Sequence, residues 1–539
     1  MINRRTLIAT MLASTMLSAA FAANVPEGTQ LAESQVFTYR LGDETTSFDP
    51  QLVEDFDGAR IVADMFETLY VTDSKGAIVP AGALSHEVSE DKMIYTFKLR
   101  PEAMWSDGTP VTAADYVYGW QRAVDPELAS PYSWYMEIMS VKNAAEIIAG
   151  DVAKEELGVK AIDDHTLEVT LSTPIPYFAK MVTMATTAPA PKATIEANGA
   201  DWTKPENIVV NGAYKLSEHV LKERSTRVRN DKYWDNEHTV LDEVSVLIVN
   251  DENQAFTRYK AGELNMTDIP AGQFIGLKKE MPDEVFSAPN LGSYYYVLNQ
   301  SENGPEAFKD ARVRKALSYA VDRDVIVNNV KQAGEIPAYT FTPTATEGYV
   351  PPELDWANWT QAERDAKAKE LLAEAGYGEG GKPLSFKLMY NTDDAHKAVA
   401  VVISQMWKQK LGVDVELENQ EWKVFLESRG GQSFEMARGG WFGDYNEAST
   451  FLDLVTTDSG YNDGKYSNAE IDALMAEAKT LENGAANYTK VEEILSEESG
   501  VIPLYFYSKG YALNPTVKGW PYENIMQDWL SKDLYIIAE

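Results

Sequence analysis

Hydrophobic and polar positions change period repeatedly along the chain, and the changes mark its elements. Residues 35–41 (QVFTYRL) and 94–99 (IYTFKL) alternate apolar with polar side chains, the pattern of a strand with one buried face. Residues 159–171 read as a hairpin with His165 in its turn. Residues 207–250 alternate strands with turns marked by Asn211-Gly212 and Asp235-Asn236. Further strands are predicted at 292–299 (GSYYYVLN), 384–391, 413–417 and 501–507, the last followed by a Pro/Gly-containing tail. Helical spacing appears near 59–69, around Tyr116 and Trp120, and over 312–327, 361–375, 396–411 and 468–498; 258–264 reads as a helix end. Thr112 and Asp115 form a capping box with Asp in place of the usual Glu or Gln, and Gly376 stops the 361–375 helix. Helices and strands interleave throughout, so the fold class is α/β.

The chain's 539 residues exceed a single core, and two or three domains are expected. A formal charge of -35 argues against a nucleic-acid partner, which needs a basic surface, and against an anionic membrane. Cysteine is absent from the sequence, which excludes Cys-ligated zinc, iron–sulfur clusters, thiol catalysis and disulfides. Residues 1–22 (MINRRTLIATMLASTMLSAAFA) read as a signal peptide, with a charged start at Arg4-Arg5, an apolar run and a small-x-small site at Ala20-Phe21-Ala22. Cleavage after Ala22, the general export route and a soluble periplasmic protein are expected.

Chemistry is sparse. Of the five histidines, no two have helix-face ligand spacing, and HExxH and GxSxG are absent. Residues 376–382 (GYGEGGK) have phosphate-loop spacing, but Pro383 stands where Ser or Thr should bind magnesium, and the loop follows a helix. No cofactor and no metal are expected. A Ser–His–Asp triad has no fixed spacing, so an exported hydrolase stays open as an alternative. No nucleophile–base pair recommends it, and a binding protein is the favoured class.

One stretch concentrates charge and aromatics. Residues 421–453 contain Trp422, Arg429, Arg438, Gly440, Trp441, Phe442 and Asp444, cations and an anion suited to a ligand charged at both ends. With LRPEAMWSDGTPVTAADYVYGWQRAVDP, NGAYKL, YYYVLN and RVRKALSYAVDRDVIV, this stretch resembles the periplasmic oligopeptide-binding proteins of ABC importers, in the peptide/nickel-type solute-binding family. The likeness covers essentially the whole mature chain. It implies a periplasmic-binding-protein-like, type II-like clamp with two ligand-binding lobes and an extra α/β domain. Lobe one would be 23–67, 192–291 and 509–539, the extra lobe two 68–191, and lobe three 292–508.

The resemblance also implies the ligand. A short peptide with free termini would bind as an extended strand and pass to an inner-membrane permease and its ATPase; the receptor would be a monomer and not an enzyme. Asp444 would pair with the peptide's α-ammonium. Arg438, Arg429, His396 and Lys331 would serve its carboxylate at different lengths. Glu54, Phe56, Tyr132, Tyr295, Trp422, Trp441 and Tyr507 would line the site, and the backbone of Gly440 and Phe442 would pair with the ligand. Some members carry bridging cysteines where this chain has Gly292 and Phe442, and Ala448 replaces a commoner proline. These departures point toward the murein-tripeptide branch, whereas Glu54 and Lys331 fit the general oligopeptide branch. A receptor for murein tripeptide, or for a dipeptide, sugar or metal chelate, is the alternative.

Overall fold

Two long strands decide the architecture. Val285–Leu298 and Val501–Leu513 are buried over most of their length, as the middle of a sheet covered on both faces requires. They pair antiparallel and form the spine of an eleven-stranded sheet. The structure is a computed structural model that describes residues 25–538. The expected leader, 1–22, and its cleavage point lie outside the described residues.

The strands of this sheet, numbered in chain order, are β1 Val36–Leu41, β2 Tyr214–Val220, β3 Arg224–Arg229, β4 Glu243–Ile248, β5 Met266–Asp268, β6 Val285–Leu298, β7 Ile336–Pro337, β8 Ser385–Asn391, β9 Asp414–Gln420, β10 Met436–Phe442 and β11 Val501–Leu513. Their spatial order is β9-β8-β10-β6-β11-β5-β1-β4-β3-β2, with β7 also pairing with β11. β1 runs parallel to β4 and β5, and β8 parallel to β9 and β10. The β6–β11 ladder is interrupted: Pro289 pairs with Ser508, and the next pair is Ser293 with Phe506. Such a slip bends the strands. It divides the sheet into a first half (β1–β5) and a second half (β7–β10), joined through β6 and β11. The expected boundaries at 291/292 and 508/509 fall beside the slip.

A separate four-stranded antiparallel sheet runs in the order Ala83–Val88, Ile94–Leu99, Thr166–Thr170, Val159–Asp163, with helix Ala113–Val124 packed against it. The Asp version of the capping box forms, as the Asp115 carboxylate accepts the Thr112 N–H at 2.7 Å. Trp120 is fully buried and donates its indole N–H to the Thr187 carbonyl at 2.7 Å. His165 sits in the hairpin turn, its N–H held by Asp163 at 2.9 Å.

Several elements differ from expectation, among them β6, which starts at Val285 rather than Gly292. The helix near 59–69 is Phe56–Met65, because Asp55 caps it by accepting the Gly58 N–H at 2.7 Å. The 312–327 helix breaks after Tyr319 and resumes at Arg323. Arg323 is fully buried and donates to the carbonyls of Ser318, Ala338 and Pro503, so the break lets a helix-end carbonyl help satisfy a buried cation. The 468–498 helix is two helices, Ala469–Ala478 and Ala485–Glu498, parted by a turn ending at Gly484. The strand expected at 501–507 continues to Leu513, because β5 pairs with residues 511–513.

Candidate ligand-binding cleft

Where the two halves face each other, beside the bend in β6 and β11, lies a cavity of about 430 Å³. The strand β10 forms part of its wall. Gly443 donates to the Leu291 carbonyl at 2.9 Å, and the Glu435 carbonyl accepts the Asn299 N–H at 3.0 Å. In an antiparallel ladder these directions alternate, so odd-numbered residues of β10 face β6 and the backbones of Arg438, Gly440 and Phe442 face the opposite edge. β8 covers that edge only at Met436 and Ala437. From Arg438 to Phe442, no strand among the described residues pairs with it. A Cβ at Gly440 would stand 2.5 Å from the Arg438 guanidinium and 2.8 Å from the Tyr507 hydroxyl, so a side chain there would displace both groups.

Asp444 follows this edge. Its Oδ1 accepts the Tyr132 hydroxyl at 3.1 Å, and its N–H donates to Thr450 Oγ1 at 2.9 Å. Its Oδ2 is buried and has no partner. Burial pushes its pKa up to about 7; the Tyr132 hydrogen bond opposes the rise, and the Asp528 charge adds to it. A buried carboxylate oxygen with no cation beside it carries an uncompensated charge.

The four candidate carboxylate partners separate by their existing contacts. Arg429 Nε donates to Asp463 at 2.6 Å, with both side chains buried, so its charge is already matched. The ammonium of Lys331 is 3.9 Å from Glu335 and also feels Glu252 and Asp393. Burial and the Arg438 charge push the His396 pKa down to about 3, so the ring is neutral at physiological pH. Arg438 has no carboxylate partner among the described residues: it donates to the Tyr507 hydroxyl at 2.6 Å, lies 5.0 Å from the Tyr294 ring centre, and leaves its Nε unpartnered. It is the one of the four with an unmatched charge.

The remaining candidates close the cleft. Glu54 accepts the Tyr461 hydroxyl at 3.0 Å, from the first half to the second. Phe56 stacks on Phe442 with centroids 4.6 Å apart, and Phe442 lies equally close to Tyr507. Phe442 pairs with Gly292 on β6, and a Cβ at Gly292 would stand 2.6 Å from its ring. Trp441 packs 5.3 Å from Tyr461 and leaves its indole N–H unpartnered. Trp422, first residue of helix Trp422–Gly430, also lines the cavity. Thirteen of the fourteen candidates therefore border one space. The exception is Tyr295, whose buried ring meets Phe341 edge-on at 4.7 Å, away from the cavity.

Sequence reasoning missed Tyr461, Asp463 and Asp528. None carries a local signal; each matters through a partner distant in sequence. At the far end of the cavity it also missed an ionic network, in which Asp268 takes Arg40 at 2.6 Å and Lys509 at 3.2 Å.

This is the architecture of a receptor, two half-sheets around an enclosed cleft with unmatched charges. A match to the bacterial extracellular solute-binding proteins, family 5 Middle, spans residues 77–463. The chain belongs to that family. Its members are solute-binding receptors rather than enzymes. The chain is 43% identical to the periplasmic oligopeptide-binding protein OppA of Salmonella typhimurium over 543 residues, 99% of each chain. It matches the structure of the Escherichia coli murein tripeptide binding protein MppA with a TM-score of 0.91 at 40% identity, covering 95% of this chain and 100% of the other. Against an unliganded open form of MppA, at the same identity and 95% and 99% coverage, the TM-score is 0.70. Equal identity with unequal superposition means that the lobe arrangement differs, and this family-5 chain has the two halves drawn together.

Proposed function

We propose that the chain captures short peptides with free termini and delivers them to an ABC permease and its ATPase in the inner membrane. The observation that carries the reading is Asp444 Oδ2, a buried, unpartnered carboxylate oxygen at the end of an open strand edge. The peptide lies extended along β10, exchanging backbone hydrogen bonds with Arg438, Gly440 and Phe442. Backbone pairing ignores side-chain identity, so it accommodates many sequences. Asp444 takes the α-ammonium, and Arg438 takes the carboxylate as a two-pronged donor.

In this reading lobe one is 23–67, 192–291 and 509–539, lobe two is 68–191, and lobe three is 292–508. Glu54–Tyr461, Tyr132–Asp444 and Phe56–Phe442 bridge the lobes and form as they close on the ligand. The protein acts as a periplasmic monomer, exported by the cleaved leader. The OppA likeness over 99% of the chain supports this route.

Thermal-shift screening with di- to pentapeptides, and native mass spectrometry of co-purified ligand, test the reading. Stabilisation by peptides with both termini free is expected; none by any such peptide would refute it. A murein-tripeptide receptor is the second reading, with which the 0.91 superposition on MppA is compatible. Preference for a γ-linked over an α-linked tripeptide would select it.

A further inference from the structure

Asp528 is a second carboxylate on the cavity wall, and it comes from the first half of the structure. A hydrogen-bonded turn holds it. Asn524 is fully buried, donates to the carbonyls of Asp528 (3.2 Å) and Asp73 (3.3 Å), and accepts the Met526 N–H at 2.9 Å. The turn is tied to the ammonium end of the cleft: the Ile525 carbonyl accepts the Leu291 N–H at 2.7 Å, and the Leu291 carbonyl accepts the Gly443 N–H at 2.9 Å. One backbone therefore separates the Asp528 turn from the segment that carries Asp444.

The cation nearest Asp528 is already engaged. Arg60 donates to the Gln527 carbonyl at 3.2 Å, stands 3.5 Å from Asp57, and lies over the rings of Phe56 (4.7 Å) and Trp529 (5.0 Å). Neither Asp444 nor Asp528 has a salt-bridge partner within 4.0 Å among the described residues; the Arg60 charge acts on Asp528 from farther off and partly compensates it. Burial pushes the Asp528 carboxyl up to about 6 against the opposing charge of Arg60, and the Asp528 charge adds to the rise at Asp444. A single α-ammonium can neutralise only one of two such carboxylates.

We infer that the ammonium end of the cleft is built for two positive charges on the first residue of the peptide: Asp444 takes the α-ammonium, and Asp528 takes the side-chain cation of an N-terminal lysine, ornithine or arginine. This rests on the peptide reading above and adds a positional preference to it. Backbone pairing along β10 is indifferent to side chains, so the preference is confined to position one.

Calorimetry with three-residue peptides tests it. Lys-Ala-Ala should bind wild type about tenfold or more tighter than norleucine-Ala-Ala, which matches its apolar stem without the charge. The same exchange at position three should change affinity less than about threefold. In Asp528→Asn the position-one ratio should fall below about threefold. An equal preference at positions one and three would overturn the inference, as would a position-one ratio near one in wild type or an unchanged ratio in the variant. The wild-type comparison stands whether or not the variant folds. Failure of every peptide to bind, trialanine included, would sink the peptide reading itself, a result distinct from binding without positional preference.

Discussion

Replacing Asp444 with Asn removes a charge and keeps the shape, so it isolates the ammonium contact. The carboxyl sits at about 7 against an ordinary aspartate value of 3.8. That gap is a factor of about 10³ in protonation, ~4 kcal/mol against the ionised form. The side chain is not sealed from solvent, and halving the figure for screening leaves ~2 kcal/mol. A bound α-ammonium offsets this cost, and losing one partner of such a pair costs about 2–5 kcal/mol. Affinity for a free-amine peptide should fall at least about 30-fold in the variant. The pH dependence is sharper. Wild-type affinity should fall about tenfold per unit as pH drops below 7, because binding then displaces a proton, and should decline again above about 8, where the peptide amine loses its charge. The variant should lack the acid limb. The linkage sign also fixes stability without ligand: a carboxyl raised in the folded state contributes stability that is present below pH 3.8 and lost as pH rises through about 7. The Asn variant should therefore melt higher than wild type at pH 8, and that advantage should shrink to less than half at pH 5. Calorimetric titrations from pH 5 to 9 and melting curves at both ends supply the data. Wild-type affinity that is flat from pH 5.5 to 7, or retained affinity in the variant, would refute the ammonium assignment.

Arg438→Met should weaken binding of a free-acid peptide by about 100-fold but hardly change that of its C-terminal amide; additive losses from the two changes would exclude Arg438 as the carboxylate partner. Tyr132→Phe removes the hydroxyl that opposes the rise at Asp444, so the acid limb of the binding curve should move to higher pH; an unmoved limb would show the contact to be incidental. Gly292 and Phe442 form a non-hydrogen-bonded cross-strand pair, in which Cα atoms stand about 4.5 Å apart, within disulfide reach. The double variant Gly292→Cys with Phe442→Cys should therefore oxidise to a disulfide, and two thiols still titratable after exposure to oxidant would contradict the register.

What the sequence made legible follows the range of the forces involved. Strand alternation and the Thr112–Asp115 cap are local, and both stand in the structure. The break at Tyr319–Arg323 was hidden because its cause, burial of the Arg323 guanidinium among carbonyls from residues 318, 338 and 503, is tertiary. The tyrosine triplet gave the alternation but not its surroundings: Tyr294 stacks on Tyr505 and Tyr295 meets Phe341, and neither lines the cavity. Charge was readable as residue type but not as charge balance. Arg429 and Arg438 are alike in sequence and lie nine positions apart, yet Asp463 matches one and leaves the other free. The same reasoning applies to the acids. Among 83 acidic residues, Asp528 has no distinguishing neighbours. Only the folded chain brings its turn, through Leu291, to the segment that ends in Asp444. In a receptor that grips its ligand by backbone, selectivity then depends on which charges the fold leaves unmatched. Those can be identified only after every internal pair has been assigned.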